Sequence, residues 1–270
     1  MEANKKNVHD FWNEAACGET LLMKGESLEE QFRNQMKKRY ELEPYILDFA
    51  GFESAKGKKV LEIGVGLGAD HQMFAQHGAD LYGVDLTEKA VSYTRQRLRI
   101  FGLDSKLATG DAEKLQFPDS YFDKVYSWGV IHHSPQTPKA VQEIFRILKP
   151  GGEAKVMIYH TYSLVGYMLW LRYALLKFRP FTSLKSIYDR YLESPGTKAY
   201  SKKEARKLFG AFKEVDIRIE LSHGDLLSDI AGQRHQGPLL RLARMLWPRN
   251  FVRRALPGQG LFMLISAKKG

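Results

Sequence analysis

The octet "LEIGVGLG", Leu61 to Gly68, decides how the rest of the chain is read. An apolar run closing in glycines has the look of a buried parallel strand that enters a tight turn. Gly64, Gly66 and Gly68 spell G-x-G-x-G, while Gly64, Gly66 and Ala69 also satisfy the looser G-x-G-x-x-G/A pattern of dinucleotide sites. Glycines at such a turn let a ligand approach backbone N–H groups near a helix N-terminus. By itself the octet admits a dinucleotide turn, a different nucleoside-cofactor turn, or a plain glycine-rich loop.

The flanking segments alternate. "ADHQMFAQHG" reads as a helix ending at Gly78, "ADLYGVDLT" as a second strand, and "EKAVSYTRQRLRIFG" as a helix with Gly102 just past its end. "SKLATGDA" and "FDKVYSWGVIHH" are the third and fourth strands, "TPKAVQEIFRILKPGG" a helix and turn, and "GEAKVMIYH" the fifth strand. Strands alternating with helices of this length predict an α/β core, a parallel sheet with helices on both faces. Residues 1–55 read as an N-terminal helical cap, with Phe11, Trp12, Phe32, Met36, Tyr40, Tyr45, Ile46 and Phe49 as candidate buried positions. The chain divides into this cap, a core over 56–160, a helical substrate or lid insertion over 161–200, and the end of the sheet over 201–270 with a basic insertion at 225–257.

Asp85 ends the second strand, where a carboxylate can accept both hydroxyls of a ribose. A nicotinamide enzyme predicts this aspartate too. Glu62 lies two residues before Gly64, where an acidic group suits a cationic ligand better than a pyrophosphate. "GDA", Gly110 to Ala112, follows the third strand, where a carboxylate can accept an adenine amino group. "RILKPGG", Arg146 to Gly152, makes a sharp helix-to-strand turn.

With "VLEIGVGLG", "GVDLT", "GDAEKLQFPDSYFDKVYS" and "VIHH", residues 55–160 closely resemble the class I S-adenosylmethionine-dependent methyltransferases, in their small-molecule (UbiE/sterol-methyltransferase-like) branch. The resemblance implies a Rossmann-like, seven-stranded, mostly parallel sheet, with Val215–Leu221 as sixth strand and Leu261–Ala267 as a reversed seventh. It implies S-adenosyl-L-methionine as cofactor, S-adenosyl-L-homocysteine as product, and in-line methyl transfer to a small-molecule acceptor. Carried over by position, Glu62 and Gly64 face the methionine end, Gly66 admits the backbone approach, and Gly68 belongs to the same turn. Asp85 holds the ribose with Leu86 beside the adenine, and Asp111 and Ala112 match the adenine edge. Ser127 to Val130, including Trp128, match the loop after the fourth strand, near the transferable methyl. Tyr40 and Arg39 close over the cofactor carboxylate.

The pair His132 and His133 has two readings, a general base or a loop-shaping structural element. Adjacent residues diverge and no carboxylate or cysteine supplies ligand spacing, so no metal is expected. Candidate acceptor contacts are Trp12, His132, Tyr162, Tyr188 and Asp189, the last two in a tract that also holds Thr197 and precedes a capping box at Ser201 and Glu204. "FWNEAACGE", with Cys17 and Gly18, is a candidate second wall of the pocket.

"SLVGYMLWLRYALLKFRPF", Ser163 to Phe181, falls short of the ~20 apolar residues that span a bilayer. It reads as a lid helix, or as an interfacial helix with Arg172, Lys177 and Arg179 at headgroup level. "GPLLRLARMLWPRNFVRRALPG", Gly237 to Gly258, repeats the theme: Leu239, Leu242, Ala243 and Leu246 share one face, Arg241 and Arg244 lie off it, and Arg249, Arg253 and Arg254 follow. Residues 1–150 hold 20 Lys+Arg against 22 Asp+Glu, whereas residues 151–270 hold 21 against 9. A basic substrate half fits an amphiphilic or anionic acceptor, and equally a peripheral membrane contact.

Nucleic acid is the alternative partner class, but "SWGVIHH" lacks the Asn/Asp-Pro-Pro-aromatic signature of many base N-methylating enzymes. A non-catalytic cofactor-binding protein is the other alternative. A composition of 44% hydrophobic and 27% charged residues excludes a disordered chain. Cys17 is the one cysteine, which excludes an internal disulfide. With no apolar leader in "MEANKKNVHDFWNE", the expected location is cytoplasmic, membrane-peripheral if the basic segments touch lipid.

Overall fold

Buried parallel strands must be apolar on both faces, and the strand that carries the octet is: Val60, Leu61 and Ile63 are all buried. A computed structural model describes residues 3–14, 19, 23–194, 196–228 and 244–270. The strands are β1 (Lys59–Ile63), β2 (Asp80–Asp85), β3 (Lys106–Thr109), β4 (Phe122–Trp128), β5 (Leu148–His160), β6 (Ala199–Tyr200), β7 (Glu214–Glu220) and β8 (Phe262–Lys268). They form one sheet in the order β3-β2-β1-β4-β5-β8-β7, with β6 also pairing β5. The strands from β1 to β5 run parallel, and β8 is antiparallel to both β5 and β7. Neighbouring residues serve opposite faces. Leu61, Val125 and Val156 pack into one apolar cluster, and Val60, Tyr126 and Met157 into the other.

Two details differ from the sequence reading. The sheet has eight strands, because β6 pairs in parallel with Tyr159 and His160. β4 leaves β5 opposite Met157, which frees the edge beyond it, while Phe262 already occupies the other edge of Tyr159. Two residues are too few to show a strand period. β4 also stops at Trp128, so Ser127 and Trp128 are strand residues and Val130 to His133 form the loop.

The helices described are α1 (Ala3–Glu14), α2 (Leu28–Leu42), α3 (Tyr45–Ala50), α4 (Ala69–Gln76), α5 (Glu88–Ile100), α6 (Thr137–Ile147), α7 (Leu164–Tyr173), α8 (Leu184–Tyr191), α9 (Lys202–Leu208) and α10 (Arg249–Ala255). In the cap, Phe32, Ile46 and Phe49 are buried, while Phe11, Trp12, Met36, Tyr40 and Tyr45 are half-buried. Arg97 of α5 fastens α2 to the core: its Nη2 donates to the Phe32 carbonyl at 3.0 Å and to Gln35 Oε1 at 2.5 Å. The capping box at Ser201 and Glu204 forms as read. Among the described residues no helix is long and apolar enough to cross a membrane.

The strand order reverses at β1, which pairs β2 on one side and β4 on the other. In such sheets ligands bind in the crevice beyond the carboxyl ends at this switch point.

Candidate functional site

The glycine turn lies at that switch. Gly64 has φ +84°, and a Cβ built on it would stand 2.1 Å from Val130 Cγ2, so this glycine serves the turn and its packing against the loop after β4. Gly66 has φ +52° and no atom within 4 Å of where a Cβ would sit, which leaves its backbone approachable. Gly68, also in the left-handed region, starts α4. Asp85 is stapled across the turn: Gly66 N donates to Oδ2 at 3.2 Å, and Thr87 N and Oγ1 both donate to Oδ1 at 2.9 Å. Burial lifts its carboxyl above the usual range against the pull of those donors. Leu86, half-buried, follows it. Asp111 already accepts Lys5 Nζ of α1 on Oδ2 at 2.7 Å and Glu113 N on Oδ1 at 2.9 Å, so α1 reaches across the expected adenine edge beside Ala112.

Glu62 is buried and hydrogen-bonded within the core. Ser105 Oγ donates to the Leu81 carbonyl at 3.0 Å and therefore accepts His71 Nε2–H at 2.7 Å. His71 Nδ1 then carries the lone pair, and Glu62 Oε2, 2.8 Å away, must donate to it. Burial and the nearby Asp70 carboxylate push the Glu62 carboxyl well above its normal range, while burial brings His71 down to about 3. Both groups are thus neutral in this state. Gly83 makes the room: a Cβ there would meet His71 Cε1, Leu107 Cδ2 and Val65 Cγ1, each at 2.7 Å. Gly83→Ala should cost about 1–3 kcal/mol by overpacking, read as a melting temperature lower by roughly 5 °C. An unchanged melt would show that the relay does not need this space.

Arg39 and Tyr40 of α2 converge on Asp70 in the first turn of α4. Arg39 Nε and Nη2 donate to Oδ1 and Oδ2 at 2.9 and 2.6 Å, Tyr40 OH to Oδ1 at 3.0 Å, and Tyr126 OH to Oδ2 at 2.8 Å. This pair locks the cap over the crevice. Glu43 lies 3.4 Å from Arg39 Nη1, and burial pushes its carboxyl up to about 7 against the guanidinium.

Beyond β4 and β5 lies a second polar group. Trp128 stacks on Tyr45 at 6.0 Å and meets Phe262 edge-on at 5.9 Å, forming an aromatic wall. Ser127 is buried and donates to the Ile63 carbonyl, so it faces β1. The two histidines behave differently. His132 is wholly buried between His133 and Tyr159, with ring centroids 4.2 and 4.1 Å away and neither ring nitrogen hydrogen-bonded. Burial first, and then His133 and Lys198, hold its pKa well below 6.5, so it stays neutral.

His133 is oriented. Thr197 Oγ1 donates to the Ser194 carbonyl at 2.6 Å and lies 3.1 Å from His133 Nδ1. Ser194 Oγ is also 2.9 Å from Nδ1, and Nε2 lies 3.4 Å from Glu193 Oε2. Tyr159 OH donates to the same carboxylate oxygen at 2.7 Å. Burial opposes charge on Glu193, yet His133 and Tyr159 outweigh it and hold the carboxyl below its usual range. Tyr45 OH and Thr161 Oγ1 are also buried without partners near this end. A buried orphan costs about 1–3 kcal/mol, and such a cluster marks a place for a polar ligand.

Other expected residues are placed as follows. Trp12 meets His133 edge-on at 5.3 Å and does wall this region. Tyr188 is wholly buried and spends its hydroxyl on Ser163 Oγ at 2.7 Å and the carbonyls of His160 and Thr161 at 3.1 Å. It pins the insertion to β5. Asp189 is exposed on α8, and Tyr162 is half exposed beside His160. Cys17, Gly18 and residues 237–243 lie outside the described residues. Glu193 was missed, although it lies only four residues beyond Asp189 in the tract singled out from the sequence.

Residues 61–156 match the family model described as a methyltransferase domain. This stretch is a methyltransferase domain. The methyltransferase stretch is similar to a ubiquinone biosynthesis O-methyltransferase of Azoarcus sp., 34% identical over 122 residues, which are 44% of this chain and 52% of that protein. A ubiquinone/menaquinone biosynthesis C-methyltransferase of Bordetella avium is 36% identical over 104 residues, 37% of this chain and 41% of that protein. The matches thus span about half or less of these relatives. The fold is similar over 98% of this chain to the whole of magnesium protoporphyrin IX methyltransferase of Synechocystis PCC 6803, solved with bound S-adenosylhomocysteine, at a TM-score of 0.61 and 14% identity. The open backbone at Gly66 beside Asp85 leaves room for a nucleoside.

Proposed function

We propose that the protein transfers a methyl group from S-adenosylmethionine to the hydroxyl oxygen of a small amphiphilic acceptor held between the Trp128 wall and His133. When bound, the cofactor supplies an electrophilic methyl on a sulfonium. Asp85 and the Gly66 backbone would hold its ribose, with Leu86, Asp111 and Ala112 about its adenine and Glu62 toward its methionine end. Tyr45, Trp128 and Phe262 offer the acceptor an apolar wall, and alignment by such walls is worth several kcal/mol of barrier.

What supports an oxygen acceptor is the His133–Glu193 pair beside the aromatic wall, with Nε2 3.4 Å from Glu193 Oε2 and Nδ1 held by Ser194 and Thr197. As the acceptor O–H gives its proton to Nε2, the imidazolium gains Glu193 as its counter-charge. His132, buried and neutral, packs behind it.

The direct test is turnover of labelled S-adenosylmethionine against pooled metabolite and lipid extracts, with the product identified by mass. His133→Ala should lower kcat about 10²–10⁴-fold and leave S-adenosylhomocysteine affinity within about twofold. Glu193→Gln should also lower kcat while leaving S-adenosylhomocysteine affinity within about twofold, because the ring loses the carboxylate that faces it. A His133→Ala enzyme with unchanged kcat and pH profile would remove the base. Cofactor binding without turnover on any acceptor would favour a non-catalytic protein, and steeply salt-dependent RNA binding a nucleic-acid substrate.

A further inference from the structure

The insertion folds as a helical hairpin with both feet at the acceptor end. α7 begins after Ser163, three residues beyond the end of β5, and α8 ends at Tyr191, two residues before Glu193. The two legs pack through Leu169, Ala174 and Ile187, and Tyr173 stacks flat on Tyr191 at 4.1 Å. Trp170 Nε1 donates to the Thr182 carbonyl at 2.9 Å, closing the hairpin below its apex.

The apex inverts the usual pattern of a surface turn. Leu176, Phe178 and Phe181 are 62%, 96% and 100% exposed. Phe178 has φ +55°, a region bulky residues rarely adopt, and Phe178 N and Arg179 N donate to the carbonyls of Leu175 and Ala174 to hold the turn. Lys177 and Arg179 alternate with these rings, and Arg172 lies just below on α7. No Asp or Glu occurs between Glu153 and Asp189. Apolar rings at a basic apex suit the boundary between acyl chains and anionic headgroups. The surface is a tip of seven residues, whereas a stable protein interface takes about 20–30 residues from each partner. A bilayer needs depth rather than area.

We propose that residues 175–181 form a membrane-docking tip, inserting Phe178 and Phe181 into an anionic lipid surface with Lys177, Arg179 and Arg172 at the headgroups. The docked hairpin then sets the acceptor end of the sheet toward the bilayer. The proposal stands apart from the methyl-transfer reading, and its test needs no turnover.

The full chain is sedimented with vesicles of phosphatidylcholine alone and of phosphatidylcholine mixed with phosphatidylglycerol. Binding should require the anionic lipid and weaken with salt. Phe178→Ser with Phe181→Ser should lower the partition coefficient by at least about tenfold. Lys177→Gln with Arg179→Gln should lower it about fivefold per charge removed. These side chains are exposed, so circular dichroism and melting temperature should not change. Failure of the unaltered chain to bind anionic vesicles at low salt overturns the proposal, as does undiminished binding by the double phenylalanine variant. Self-association that this variant abolishes, without vesicle binding, would assign the tip to a second copy instead.

Discussion

Asp85→Ala is expected to raise the dissociation constant for S-adenosylhomocysteine about 100-fold or more in calorimetry, equal to about 2.7 kcal/mol. The side chain links the end of β2 to the glycine turn, and its Oδ2 keeps acceptor capacity beyond the 3.2 Å bond from Gly66. Hydrogen bonds from two ribose hydroxyls to a carboxylate are each worth about 1.5–3 kcal/mol, enough to carry that loss. The alanine variant also frees Thr87, so Asp85→Asn serves as the control: it keeps an acceptor oxygen and should lose about tenfold, since a neutral acceptor is roughly half as strong. The fold should survive both changes, because β2 is held by β1 and β3. Burial lifts the Asp85 carboxyl, so affinity should fall with pH as the group protonates above the ordinary carboxylate range. Affinity within twofold of the original in a folded Asp85→Ala protein would end the ribose assignment.

Asp70→Ala should be the most destabilising single change, by about 3–5 kcal/mol, or on the order of 10 °C in melting temperature. It strands a guanidinium that reaches α4 only through this carboxylate and leaves Tyr40 and Tyr126 without their acceptor. Burial works against the Asp70 charge, but Arg39 and the two phenols hold its carboxyl below the usual carboxylate range. The sign follows: the ionised pair stabilises the protein above the unfolded carboxylate range, and that contribution is lost as pH falls through the lower folded pKa. Asp70→Leu combined with Arg39→Met removes both charges and should recover much of the loss. A single-variant melt within 2 °C of the original, or no recovery in the double variant, would refute the role of the pair as the clamp on α2. Loosened α2 should also weaken cofactor binding, since it carries the residues that lie over the crevice.

The features legible in the sequence are those that are local. Gly66 and Asp85 announce themselves because a strand must end in a turn that bares its backbone, and because the next strand ends beside it. The capping box at Ser201 and Glu204 is equally local. The contacts that the sequence hides run to partners far along the chain. Arg39 and Tyr40 were expected over the cofactor carboxylate, yet both are spent on Asp70, about thirty positions away. Glu62 was read as an acid facing a cation, and it holds a proton against His71. Glu193 gave no signal beside Asp189, since only the fold brings it to Tyr159 and His133. Equal hydropathy in the insertion hid the difference between the packed legs and the bare apex.

Sequence by itself determined the α/β core, its glycine turn and the carboxylate that closes β2, because strand burial and turn chemistry are written in neighbouring residues. The tertiary structure alone decided which histidine is sealed without a partner, which charges are consumed in clamps, and which phenylalanines meet solvent. Those properties depend on burial and on hydrogen-bond partners, and a chain acquires both only when distant segments meet.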